Sequence, residues 1–126
     1  MRNLGLLSGI ALLFAFLLPC RAQDIVKIAP EHSKVLLEND DVRVVEITLA
    51  PGQTDPVHTH PSGWYYVVQP GSMKVTFPDG KVARWDSKAG EGGWLTTKSP
   101  HSDENVGKST IVWVLVEVKS AEKSRP

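Results

Sequence analysis

Two histidines one residue apart, His58 and His60, constrain this chain more than any other feature. They lie in the run from Gly52 to Trp64 (GQTDPVHTHPSGW), with Pro56 and Pro61 on either side. Proline cannot donate to a strand ladder, so the pair belongs to an extended segment at a sheet rim. An extended backbone sends alternate side chains to one face, and both imidazoles therefore point the same way. Two imidazoles on one face suit a single transition-metal ion. Taken alone, the same pair reads equally as a polar strand face. A third histidine, His101, lies far along the chain in SPHSDEN (99–105), so three of the 4 histidines fall in these two segments.

Around these segments the chain is a series of short β-prone runs broken by Gly, Pro, Asp and Asn. No stretch carries apolar residues at helical spacing over three turns. Strands are expected at Asp24 to Ile28, Lys34 to Glu38, Val42 to Leu49, His58 to His60, Trp64 to Val68, Met73 to Phe77, Lys81 to Asp86, Trp94 to Thr97 and Thr110 to Val118. In the third, Val45, Ile47 and Leu49 share a face; in the sixth, Met73, Val75 and Phe77 do. Asp79-Gly80 favours a tight hairpin. Lys98 to His101 reads as a turn that ends at the third histidine. The last run, TIVWVLVEV, is apolar on both faces, which predicts burial in the core on one side and against core or another subunit on the other. Many short strands without a helix imply an all-β sandwich or barrel.

The two ends read differently. Arg2 precedes Leu4 to Leu18 (LGLLSGIALLFAFLL), a run without charge. It is shorter than the roughly 20 residues a membrane span needs. Cys20 and Ala22 put small residues where signal peptidase inspects the chain, so residues 1–22 read as a signal peptide cleaved after Ala22. An uncleaved anchor and lipidation at Cys20 are the alternatives; Pro19 argues against the second. The mature protein would be exported, periplasmic or secreted. It would carry no disulfide, because the single cysteine leaves with the signal. Lys+Arg and Asp+Glu number 14 each, and losing Arg2 and Arg21 leaves a slight acidic excess. With no basic stripe, nucleic acid is not an expected partner. No membrane contact is expected after cleavage. The expected layout is a signal peptide at 1–22, an N-terminal segment at 23–33, a β-barrel at 34–118 and a flexible tail at 119–126.

These motifs resemble those of the cupin superfamily. The family's first motif is Gly, five residues, His-x-His, three or four residues, Glu, six residues, Gly. Here Gly52, His58, His60 and Gly71 stand at those separations, and Trp64 occupies the glutamate position. The second motif is Gly, five residues, Pro-x-Gly, two residues, His, three residues, Asn. Gly90, His101 and Asn105 match it, while Thr96 and Lys98 replace its proline and glycine. The resemblance implies a single-domain double-stranded β-helix, the cupin jelly-roll barrel, usually dimeric, with His58, His60 and His101 as metal ligands. It implies a divalent transition metal as cofactor, with iron, manganese, zinc, nickel and copper all open.

The family's usual carboxylate ligand is missing. A site of three neutral imidazoles leaves the charge of the ion uncancelled and more positions open. By strand parity, Trp64, Tyr66 and Val68 should line the interior beside the histidines, and Tyr65 should face outward. Phe77 and Trp113 read as core packing. Asp55 reads as a solvated loop carboxylate, or alternatively as the acceptor that orients an imidazole. Glu91 reads as structural, Asn105 as holding the turn after His101, Glu104 as solvated and His32 as a surface residue. Three readings follow: a metal-dependent enzyme, an oxygenase or isomerase acting on a small molecule; a non-catalytic module binding a metal or small ligand; and a degenerate barrel without metal. The fold alone does not choose among them, and no catalytic residue is assigned.

Overall fold

The computed structural model describes residues 23–95 and 99–119. These form ten strands and one helical turn: β1 (Gln23–Asp24), α1 (Ile25–Ile28), β2 (Ser33–Glu38), β3 (Val42–Leu49), β4 (Thr54–Thr59), β5 (Gly63–Gln69), β6 (Ser72–Thr76), β7 (Val82–Asp86), β8 (Gly92–Leu95), β9 (His101–Asn105) and β10 (Ile111–Val118). They divide into two five-stranded sheets, ordered β1-β4-β9-β6-β7 and β2-β3-β10-β5-β8. The expected signal peptide at 1–22, the tail beyond Lys119 and the second-motif positions Thr96 and Lys98 lie outside the described residues. Among the described residues no helix is long and apolar enough to cross a membrane.

Alternation decides which faces form the core. Val45, Ile47 and Leu49 of β3 are fully buried, and Ile111, Trp113 and Leu115 of β10 lie opposite them. Their side chains meet Met73 of the other sheet in one apolar cluster. β10 pairs with β3 on one side and β5 on the other, which puts the longest apolar run at the centre of its sheet. The hairpin expected at Asp79-Gly80 joins β6 to β7, with Gly80 at φ 84° and Asp79 accepting from the Lys81 amide at 3.0 Å. Positive φ is the conformation that glycine alone adopts without strain.

Two expectations are corrected at the ends of strands. Asp24 to Ile28 is not a strand beyond Asp24. Asp24 caps a single helical turn by accepting from the Val26 amide at 3.1 Å, and Ile25 and Ala29 then plug the core. The segment 23–33 is thus part of the barrel: Gln23 and Asp24 pair in parallel with His58 and Thr59. His101, expected at the end of a turn whose first residue, Lys98, lies outside the described residues, opens β9, which lies between β4 and β6.

Pro56 shapes the sheet that carries the histidines. Thr54 and Asp55 pair with Glu104 and Asp103, and His58 pairs with His101, with a register shift between. Two steps on β9 therefore match three on β4, the signature of a bulge. Proline without an N–H cannot enter the ladder, so the extra residue falls there. The bulge resets the alternation, and Asp55 and His58, three residues apart, both turn inward with no exposure.

Candidate metal centre

The bulge frees the Pro56 carbonyl, and the His58 Nδ1–H donates to it at 2.7 Å. On the facing strand the His101 Nδ1–H donates to the Ser99 carbonyl at 2.9 Å. A carbonyl only accepts, so each ring carries its proton on Nδ1 and keeps a lone pair on Nε2. The sequence reaches this twice by the same device, an imidazole bonded to the carbonyl two residues before it. His60, two residues after His58, brings its Nε2 to 3.0 Å from that of His58. Ring centroids of His58 lie 4.7 Å from His60 and 4.6 Å from His101. One ring nitrogen from each of the three falls within 4.8 Å of the others. His58 and His60 are buried, and the His101 side chain is 12% exposed. The third histidine is thus brought beside the first two, as the motif spacing implied.

Neither neutral tautomer of His60 satisfies both of its neighbours. If His60 donates from Nε2 to His58, its Nδ1 lone pair faces Glu117 Oε1 at 3.7 Å, acceptor against acceptor. If His60 is protonated on Nδ1, two lone pairs face each other at 3.0 Å. Among the described residues His60 Nδ1 and Glu117 Oε1 are both buried without a hydrogen-bond partner. Buried orphans of this kind are costly. Nitrogens bound side by side to one ion at about 2.1 Å stand about 3.0 Å apart. The donor set fits a transition metal. Burial holds the His58 imidazolium off, pushing its pKa down to about 3, with the neighbouring His60 acting in the same direction. His58 therefore stays neutral, as a ligand must.

Acidic side chains surround the three rings. Glu117, 3% exposed, accepts from Arg43 Nε at 2.6 Å. Arg43 in turn grips both oxygens of Asp24 at 2.8 and 2.9 Å. Asp103, 2% exposed, places Oδ2 3.7 Å from His58 Nε2 and 3.7 Å from His101 Nε2. Burial pushes the Asp103 carboxyl up, against the pull of His101 and His60. Neither residue was singled out from the sequence, though a signal existed for both. His101, Asp103 and Asn105 alternate on one face of β9, and Glu117 ends the core-facing row Ile111, Trp113, Leu115 of β10.

A cavity of about 280 Å³ opens beside the histidines. His60, His101 and Asp103 form its polar end; Tyr65, Met73, Val75, Phe77, Trp85, Leu95, Trp113 and Leu115 form its apolar wall. Trp64 and Tyr66 are not among them. Each is 41% exposed, and their rings stack on the outside of the barrel, 5.8 Å apart. Tyr65, expected to face outward, lines the cavity instead. The parity carried forward from His60 fails because the chain leaves one sheet after Thr59 and enters the other at Gly63. Phe77 and Trp113, expected as plain packing, also line the cavity, Trp113 while remaining in the core.

The remaining polar residues divide. Asn105 holds its turn, as expected, donating to the Leu49 and Ser109 carbonyls at 2.7 and 2.9 Å and accepting from Gly107. Glu91 is structural, accepting from Trp85 Nε1, the Lys88 amide and the Tyr65 hydroxyl. Glu104 pairs with Lys74. Asp55 is not solvated but fully buried, and His32 is not a free surface residue: its Nδ1 meets Asp55 Oδ1 at 2.6 Å. Asp55 does orient an imidazole, though not one of the three.

Solved structures share this architecture. A cupin domain from Bordetella pertussis superposes with a TM-score of 0.64 at 22% identity, over 69% of this chain and 91% of its own. A RmlC-like cupin with a double-stranded β-helix from Methanocaldococcus jannaschii gives 0.58 at 16%, over 72% and 82%. A polyketide cyclase from Streptomyces resistomycificus gives 0.53 at 22%, over 68% and 63%. No protein-family model matches the chain, and no curated protein does. The chain has the fold of the cupin superfamily, as its two motifs implied.

Proposed function

We propose that this protein binds one divalent transition metal through His58, His60 and His101, and that the metal acts on a small, largely apolar molecule held in the adjoining cavity. One observation carries the reading: two Nε2 lone pairs, fixed by Nδ1 bonds to the Pro56 and Ser99 carbonyls, meet a third imidazole, and one nitrogen from each ring falls within 4.8 Å of the others. When bound, such an ion supplies Lewis acidity with open coordination positions, and iron, manganese, zinc, nickel and copper all accept imidazole or mixed nitrogen and oxygen donors. The chain's own residues do the rest. The aromatic wall excludes water and takes up an apolar body, and the polar end meets the reacting group. An oxygenase or an isomerase fits this arrangement. The second reading, a non-catalytic binder, is favoured by Tyr65, whose hydroxyl is engaged by Glu91 rather than left free to move a proton.

The test is metal content of the untagged mature chain after reconstitution, with His101→Ala beside it. One metal per wild-type chain, and a loss of at least about tenfold in affinity in the variant, supports the reading. Metal below about a tenth per chain in both leaves the degenerate barrel. Oxygen uptake by the iron form across thiols, diketones and phenols then separates an oxygenase from a binder; a flat panel removes the oxygenase.

We also propose export through the N-terminal signal, and a homodimer formed through the outer face of the β10 sheet. Val44, Val116, Trp64 and Trp94 stand in register across β3, β10, β5 and β8, an apolar row running over four strands. Val68 beside it is exposed as well, and Trp94 is 57% exposed. A second copy of the same apolar row would cover it.

A further inference from the structure

We propose that Asp103 is the fourth protein donor of the metal site, delivering from β9 the negative charge that three imidazoles lack. The inference rests on the reading that His58, His60 and His101 hold a cation.

Three neutral nitrogens leave a divalent ion with its whole charge inside the barrel, where an uncancelled charge is expensive. Asp103 is the carboxylate placed to cancel it. Its Oδ2 stands 3.7 Å from Nε2 of His58 and 3.7 Å from Nε2 of His101. Neither histidine gives it a proton, because both N–H groups point away, to Pro56 and Ser99. The Asp103 carboxylate oxygen and the two Nε2 lone pairs therefore converge on one point. Donors about 2.1 Å from one ion stand at most about 4.2 Å apart, so both contacts fall within a shared cation's span.

The other buried acids each engage a basic side chain through one oxygen. Asp55 meets His32, and Glu117 meets Arg43. Asp103 has no lysine or arginine partner among the described residues, and its Oδ1 is buried without any hydrogen bond. Its position follows from the sequence by a short route. His101 and Asp103 share a face of β9, and the bulge at Pro56 sets His58 and Asp55 opposite them. The negative charge expected at position 64 thus arrives from the facing strand, while Trp64 turns outward.

The experiment uses Co²⁺ as probe on the metal-stripped mature chain. Wild type, His101→Ala and Asp103→Asn are titrated against a chromophoric chelator, and the visible cobalt bands are recorded. Asp103→Asn should lose at least about tenfold in Co²⁺ affinity and change the bands, since even residues beyond the ligands cost that much. Its metal-free melting temperature should equal or exceed wild type, because an uncompensated buried carboxylate has gone. Wild-type affinity and bands in Asp103→Asn overturn this inference alone. No Co²⁺ on the wild type overturns it together with the three-histidine reading. Should Asp103→Asn fail to fold, the wild type decides: Zn²⁺ should move the Asp103 ¹³Cγ resonance, and an unmoved resonance overturns the proposal.

Discussion

Asp55 and Asp103 stand opposite each other across β4 and β9, both buried, and each keeps one carboxylate oxygen without a hydrogen-bond partner among the described residues. Asp55 meets the imidazole of His32 at 2.6 Å. Two buried acids side by side are unfavourable on their own terms, so the groups that offset them should be sensitive points of the fold.

His32→Ala should therefore destabilise the metal-free protein by about 3 kcal/mol at neutral pH, because it strands a buried carboxylate. Burial already holds the Asp55 carboxyl above its ordinary value, against the pull of His32. A carboxyl whose pKa is raised on folding carries its penalty above that raised value and sheds it as pH falls through it. The deficit of His32→Ala should shrink on acidification. Urea unfolding at a series of pH values checks this, and a deficit that grows towards acid would contradict it.

At the barrel's N-terminal edge the sign is reversed. Burial raises the Asp24 carboxyl, but the bonds from Arg43 and the Val26 amide outweigh it and hold it below its ordinary 3.8. A depressed carboxyl contributes stability above its unfolded value and loses it as pH falls through the folded one. Asp24→Asn should cost about 1 kcal/mol at pH 7. The gap from wild type should close below about pH 4. Thermal melts across that range provide the measurement.

Asn105→Ala removes the donor to the Leu49 and Ser109 carbonyls and the acceptor for the Gly107 amide. The Leu49 carbonyl is left buried. A loss of about 2 to 4 kcal/mol is expected, seen as a lower urea midpoint at unchanged slope.

The row Val44, Val116, Trp64, Trp94 predicts self-association. Sedimentation velocity of the mature chain should show a dimer, and Trp64→Lys should weaken it at least about tenfold by placing a charge in the apolar contact. The variant should keep the wild-type metal content, because the Trp64 ring lies outside the barrel. A monomeric wild type at high micromolar concentration would refute the dimer.

Position 63 tests how closely β5 lies beside β10 within one sheet. A β-carbon on Gly63 would run into the Val116 carbonyl oxygen, which is backbone and cannot swing aside. Gly63→Ala should lower the melting temperature sharply, through strain of about 1 to 3 kcal/mol or more.

Strand alternation was readable wherever one strand supplied all the residues compared. Val45, Ile47 and Leu49 share the core face as their spacing requires, and so do Ile111, Trp113 and Leu115. His58 and His60 share a face for the same reason. Reading failed where the chain changed sheet or register. Tyr65 and Trp64 exchanged sides between Thr59 and Gly63, and the bulge at Pro56 brought Asp55 inside with His58. His32 was passed over because its partner lies in another strand.

The sequence by itself determined the all-β class, the core face of β3 and the hairpin at Asp79-Gly80, since period-two alternation and turn chemistry are local properties; the meeting of His101 with His58 and His60 was implied by the spacing of the two cupin-like motifs. Only the tertiary structure decided that Asp103 and Glu117 stand beside those histidines, that Tyr65 rather than Trp64 walls the cavity, and that Asp55 is buried. Each of these depends on the register between strands distant in the chain, which backbone hydrogen bonding across the sheet sets and no single segment encodes.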